Sequence, residues 1–127
     1  MKSPGGSIFP YYYKGGEIHC LKYGSKHKDQ NKLFDIMRQE EAFILAINKK
    51  LKVWVDMYET KITEEVLDQL VCNMNNLKDH VDKLSFVGLS GMDRWRLKRR
   101  LKSLGMGQSV SFYADPEEAK TWLITDR

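Results

Sequence analysis

One feature constrains the fold of this chain more than any other: short runs of β-branched and aromatic residues alternate with longer segments whose apolar residues recur at helical spacing. Ile8 to Tyr13 and Glu17 to Tyr23 are strand-like, and Lys14-Gly15-Gly16 between them supplies the positive φ angles a hairpin turn needs. From Asp29 to Lys49, the positions Leu33, Ile36, Met37, Ile44 and Ile47 mark an amphipathic helix, interrupted by the polar pair Glu40-Glu41. The run Ala42 to Ile47 is short and apolar enough for a strand. No turn residue parts it from the preceding pattern, which favours helix.

Leu51 to Met57 has the β-branched bias of a buried strand. Thr63 is placed to cap a second helix, with Glu64 and Glu65 in its first turn, where carboxylates favour the positive end of the dipole. Val66, Leu67, Leu70, Met74, Leu77 and Val81 form its apolar stripe. Leu84 to Val87 reads as a short strand leading into Gly88-Leu89-Ser90-Gly91, and a third helix runs from about Met92 to Leu104, where Gly105 suits a left-handed cap. Ser109 to Tyr113 is the last strand. Asp115 and Pro116 then fit the N-cap and first position of a closing helix that carries Ala119, Trp122 and Leu123 on one face.

The resulting order, β-β-α-β-α-β-α-β-α, predicts an α/β fold: a mixed, largely parallel five-stranded sheet with about four helices and one antiparallel edge from the N-terminal hairpin. Residues 1–7, rich in Ser, Pro and Gly, read as a disordered leader, and 8–127 as a single domain of ordinary size. Cys20 and Cys72 share no ligand spacing with His19, His27 or His80, so neither a disulfide framework nor a zinc site is indicated. With no signal-peptide core and no bilayer-length apolar run, the reading is a soluble, cytoplasmic protein.

Catalytic signals are weak. Gly88-Leu89-Ser90-Gly91 sits where a phosphate cradle or nucleophile elbow would lie, but no Gly-Lys-Ser/Thr follows and Met92 stands where the elbow needs glycine. Ser90 with Asp93 instead has the spacing of a capping box. The histidines fall on a strand, in a loop and at a helix end, and Glu40-Glu41, Glu64-Glu65 and Glu117-Glu118 are expected on exposed or first-turn positions. The chain is therefore read as non-enzymatic, without a cofactor or metal.

The third helix is the most informative segment. It carries Arg94, Arg96, Lys98, Arg99, Arg100 and Lys102 against Asp93, five net positive charges where the whole chain has +4. The remainder thus bears one net negative charge. Leu97, Leu101 and Leu104 share the inward stripe, and Trp95 projects almost opposite, beside Arg99 and Lys102. Two arrangements are open: an outward interaction patch, or an indole folded back over the preceding loop. Trp and Arg are enriched at binding hot spots, which suits an acidic protein surface or an anionic membrane. Nucleic acid is disfavoured, because no second basic cluster or aromatic strand signature accompanies the helix.

Three segments, Leu51 to Met57, Lys83 to Gly88 and Phe112 to Leu123, resemble in order and spacing the SpoIIAA-like branch of the STAS superfamily, found in anti-sigma-factor antagonists and in cytoplasmic parts of sulfate transporters. Phe-x-x-Asp-x-x-Glu-Ala-x-x-Trp-Leu, from Phe112, is the most distinctive. The resemblance implies a mixed sheet flanked by helices, and partner-switching or, in related folds, apolar-ligand carriage. Antagonists of this type are switched by phosphorylation of a serine in an Asp-Ser-Ser-Gly stretch. Here the matching place reads Thr63-Glu64-Glu65-Val66, so Thr60 or Thr63 is left to be modified, or the glutamates supply fixed negative charge.

The expected function is a regulatory, protein-binding domain. Its predicted contact residues are Tyr58, Glu59, Thr60, Thr63, Glu64 and Glu65 after the central strand, then Ser90, Asp93, Trp95, Arg96, Arg99 and Lys102 on the basic helix and its approach. The alternative is a carrier of a lipid or other apolar small molecule, docking on anionic membranes through the same helix. An apolar pocket under the helices would favour the carrier; a filled core would favour the protein-binding domain.

Overall fold

The computed structural model describes residues 1–25, 29–106 and 110–125. His27, and Ser109 at the expected start of the last strand, lie outside the described residues. The elements are β1 (Tyr11–Tyr13), β2 (Gly16–Lys22), α1 (Gln30–Leu45), β3 (Leu51–Asp56), α2 (Glu64–Leu77), a 3-10 turn (Lys78–His80), β4 (Val81–Val87), α3 (Gly91–Ser103), β5 (Val110–Tyr113) and α4 (Pro116–Ile124). They build one five-stranded mixed sheet in which the strands lie side by side in chain order. β1 and β2 are antiparallel, and β2 through β5 are parallel.

Local chemistry accounts for most boundaries. Lys14 and Gly15, both at positive φ, form the two-residue turn between β1 and β2, the geometry that matches the twist of a hairpin. Asp29, Thr63, Ser90 and Asp115 each stand outside a helix in extended conformation, and their side-chain oxygens accept N–H groups of the first turn. Gly105 closes α3 at φ +79, with Met106 N–H returning to Leu101 O.

Several boundaries differ from expectation, and the larger differences have local causes. β1 begins at Tyr11 rather than Ile8, because Pro10 has no N–H to give and Ile8 pairs with Lys2 instead. α1 stops at Leu45, where Ala46 and Ile47 close it with bonds back to Ala42 and Ile44 before the chain turns into β3. α2 ends at Leu77 and a 3-10 turn follows, so Val81, expected on the helix stripe, instead opens β4 three residues early, and Lys83 enters the sheet.

Because the parallel strands advance in one direction, the connecting helices α1, α2 and α3 lie together on one face. Leu33, Met37 and Ile44 of α1, Leu70 and Met74 of α2, and Leu97 and Leu101 of α3 meet Val53, Val55, Leu84 and Phe86 of the sheet in one cluster. Burying each such side chain contributes roughly 1.5–3 kcal/mol, so this layer dominates stability. Leu104, expected on the inward stripe, is only half-buried at the helix end.

α4 covers the opposite face, touching β2, β3, β4 and β5. Ala119 and Leu123 are buried there, and a Cβ on Gly16 would meet the Ile124 side chain at 2.4 Å, so helix and strand approach as closely as they can. Lys83 fixes the end of α4: its Nζ donates to Trp122 O at 2.9 Å and Thr125 O at 2.7 Å and lies 4.6 Å from the Trp122 ring centroid. A cation at a helix C-terminus is favoured by the dipole as well as by the carbonyls it satisfies.

The N-terminal residues depart furthest from expectation. Residues 1–7, read as a disordered leader, form a folded loop in which Ser3 and Ser7 are buried. The loop is closed by Ser3 N–H to Ser7 O, Gly6 N–H to Ser3 O and Phe9 N–H to Met1 O. What holds it is Glu40, which the sequence reading placed among exposed carboxylates and which is 0% exposed. Its Oε2 accepts Ser3 Oγ–H at 2.6 Å and Gly5 N–H at 2.8 Å, and its Oε1 faces His19 Nε2 at 3.1 Å. A buried carboxylate needs such donors, and small N-terminal residues can approach closely enough to provide them.

Candidate functional site

The loops at the C-terminal ends of β3 and β4 and the adjoining helix α3 gather most of the residues singled out by sequence. The chain leaving β3 is held in a close backbone clamp. Added Cβ atoms on Gly24 and Gly88 would fall 2.7 Å from Tyr58 O and 2.8 Å from Tyr58 N, and Gly88 has φ +90. Only glycine fits this approach. The clamp leaves the Tyr58 side chain outside, 61% exposed, while its N–H donates to Asp56 Oδ1 at 3.0 Å. Glu59 follows with φ +57 and is exposed.

Thr60 and Thr63 face inward more than a modification site would. Thr60 Oγ1 donates within 3.4 Å of Tyr23 O and Tyr58 O, and Thr63 Oγ1 donates to Gln30 Oε1 at 2.5 Å while accepting Val66 N–H. Glu65 is exposed at the start of α2. Ser90 caps α3 by accepting Asp93 N–H at 3.2 Å, whereas the Asp93 carboxylate turns to Arg96 Nη1 at 3.2 Å. Ser90 is thus engaged as a helix cap.

Pairing divides the cations of α3 into two groups. Arg96 also reaches Glu64 at 2.5 Å, and Arg100 reaches Asp68 at 2.7 Å, so one side of α3 is tied to α2. Arg94 Nε donates to Leu89 O at 3.2 Å. Lys98 and Lys102 are exposed and have no ion pair among the described residues. Arg99 lies over the Trp95 ring, 5.0 Å from its centroid. The fixed negative charge expected from Glu64 is therefore neutralised by Arg96, and Arg96 is a tether between helices rather than a free contact.

Trp95 is 58% exposed and Met92, one turn before it, 72%. Met92, Trp95, Arg99 and Lys102 follow one another at i, i+3, i+7 and i+10, which places them on a single outward stripe. Of the two arrangements open to Trp95, the structure has the outward one. Beside the stripe, Trp95, Arg96 and Arg99 border an open groove of about 410 Å³ whose far wall is Glu64 and Leu67 of α2.

The buried group that sequence reasoning missed is the His19–Glu40 pair. Phe9 and Phe43 pack on the His19 ring with centroids 5.5 and 5.9 Å away, and Nδ1 has no hydrogen-bond partner among the described residues. One signal was available: Glu40 lies three residues after Met37 and four before Ile44, on the inward stripe of α1. Cys20, next to His19 but on the other face of the sheet, has its thiol pushed up to about 12, first by burial and then by the nearby Asp56 carboxylate. It is a proton-bearing, unreactive thiol.

Among the described residues no group of three or more His, Cys, Asp or Glu side chains is placed to hold a metal ion, and no helix is long and apolar enough to cross a membrane. No protein-family model matches the chain, and no curated protein or solved structure is significantly similar to it.

Proposed function

We propose that this chain is a non-enzymatic regulatory domain that binds a protein partner through the Tyr58 loop, the Ser90 loop and the outward stripe of α3. The observation that carries the reading is the stripe itself: an indole and a thioether left in solvent, flanked by Arg99 and by Lys98 and Lys102, which are exposed and have no ion pair among the described residues. Exposed large apolar groups among cations are the composition of a binding hot spot, and a surface of this charge is complementary to an acidic one. The space beneath α1, α2 and α3, where an apolar carrier would hold its cargo, is filled by the side chains of the core cluster. That favours surface binding over carriage.

The same proposal includes a SpoIIAA-like architecture in the order β-β-α-β-α-β-α-β-α, acting in the cytoplasm. Its support is the parallel run from β2 to β5 with three crossover helices on one face and a closing helix on the other. Engagement of the Thr60 and Thr63 hydroxyls argues for a constitutive rather than phosphorylation-switched contact.

The test is affinity capture with wild type and with the triple variant Trp95→Ala/Arg99→Ala/Lys102→Ala, both shown to be folded. Partners retained by wild type should be lost by the variant and should elute at raised salt. An unchanged set of captured proteins would remove the stripe from consideration.

A further inference from the structure

The stripe on α3 changes character along its length. Its N-terminal end is apolar, with the exposed side chains of Met92 and Trp95. Its C-terminal end is cationic, with Arg99 and Lys102 on the stripe and Lys98 beside them, all exposed. Met92 and Lys102 stand ten residues apart on one helix, which separates the two ends by about 15 Å. The positive excess survives pairing. The six cations of α3 stand against four carboxylates, Asp93 on the helix itself and Glu64, Glu65 and Asp68 on the first turns of α2, and the ion pairs that form engage Arg96 and Arg100 alone among those cations. Lys98 and Lys102, one turn apart, repel each other with no ion pair among the described residues to relieve them.

Arg99 differs from the other arginines of the helix. Arg94 gives its Nε–H to Leu89 O, and Arg96 and Arg100 are tied to carboxylates. Arg99 has no ion pair among the described residues and rests over the Trp95 ring, 5.0 Å from its centroid. An arginine held on an indole keeps its N–H groups available while surrendering in advance part of the side-chain freedom that binding would cost it. Its planar fork matches a carboxylate through two parallel hydrogen bonds, which an ammonium cannot do.

We infer that Arg99, positioned by Trp95, is a carboxylate clamp for an acidic protein segment that lies along α3 in one direction, its apolar side chains at Met92 and Trp95 and its acids at Arg99 and Lys102. The inference rests on the stripe being a protein-binding surface and adds the chemistry and orientation of the partner. Charge complementarity selects the acids, and the polarity of the stripe sets the direction. The groove beside the stripe, bordered by Trp95 and Arg99 and closed by Glu64 and Leu67 of α2, favours a protein over a lipid surface, because a side chain can enter a recess that a flat bilayer leaves empty.

The probe is a capped peptide of about twelve residues, long enough to span the stripe, with leucines at one end and glutamates at the other. A second peptide carries lysines in place of the glutamates, and phosphatidylcholine vesicles containing phosphatidylserine represent an anionic lipid surface. In a two-dimensional NMR titration of the whole chain, the glutamate peptide should give saturable shifts from Met92 to Lys102 with millimolar or tighter affinity, and the lysine peptide should bind about tenfold more weakly or worse. A nitroxide on the leucine end should broaden Met92 and Trp95 more than Lys102. Arg99→Lys keeps the charge but loses the fork and should weaken the glutamate peptide about fivefold, whereas Lys102→Arg should bind as wild type does.

Wild-type affinity in Arg99→Lys would overturn the clamp, and broadening centred on Lys102 would overturn the orientation. No saturation by about 10 mM, or sedimentation with the vesicles that Trp95→Ala abolishes, would overturn the acidic segment. These failures are distinct from failure of the stripe itself, which is read from affinity capture with the Trp95, Arg99 and Lys102 triple variant.

Discussion

His19 Nε2 lies 3.1 Å from Glu40 Oε1 with both side chains wholly removed from solvent, and the same carboxylate receives Ser3 Oγ–H and Gly5 N–H from the beginning of the chain. A strand, a helix and the N-terminal loop therefore meet on one buried charge-bearing group. Such a group is stable only while its donors stay in place.

Glu40→Ala should cost about 3–5 kcal/mol in chemical denaturation, since it strands His19 and two further donors in the interior. Ser3→Ala removes one donor only and should cost about 1–3 kcal/mol. Hydrogen exchange should show faster exchange of the Gly5 and Ser7 amides in both variants. Wild-type stability in Glu40→Ala would mean that the pair does not anchor the loop.

Raising the pH should destabilise the protein through Cys20. Its folded thiol stands at about 12 against an ordinary 9.0, so the folded state holds the proton more tightly than the unfolded chain. The contribution is complete below pH 9 and lost progressively as pH rises from there toward 12, at roughly 1.4 kcal/mol per unit. Tyr23, whose hydroxyl burial pushes well above its usual value, acts in the same direction at higher pH. Urea midpoints between pH 7 and 11 should fall less steeply in Cys20→Ala. At pH 8, iodoacetamide should label exposed Cys72 in the native protein and reach Cys20 only after unfolding.

The α3 stripe should separate binding from stability. Trp95→Ala and Lys102→Ala should leave the unfolding free energy within about 0.5 kcal/mol, and Arg99→Ala within about 1 kcal/mol, because these side chains are exposed. Partner affinity should drop by about 2 kcal/mol, near thirtyfold, for Trp95→Ala. Arg96→Ala should show the reverse balance, weakening the α2–α3 contact more than the partner contact.

Gly88→Ala should damage the Tyr58 loop. The backbone at φ +90 alone penalises a side chain by about 1–3 kcal/mol, and the added methyl would also press on Tyr58 N. Reduced thermal stability together with accelerated exchange of the Tyr58 and Thr60 amides is the expected signature. A shift confined to Gly88 would show that the clamp is not required.

What the sequence determined by itself was whatever depends on neighbours within a turn. The caps at Thr63, Ser90 and Asp115 bond to backbone two or three residues away, and the hairpin turn needs two positive φ angles at Lys14-Gly15, whereas the outward direction of Trp95, left open by helical spacing, came from the structure. The mixed, largely parallel α/β sheet follows from the same local alternation.

Tertiary structure decided everything that depends on partners far along the chain. Glu40 looked like a solvated acid because its donors lie 21 to 37 residues earlier, and the leader looked disordered because nothing near it in sequence could hold it. Arg96 and Arg100 looked like free cations until α2 brought Glu64 and Asp68, each 32 residues away, against them. Charge and exposure are properties of the assembled surface, and pairing across such distances leaves no periodic trace in the sequence.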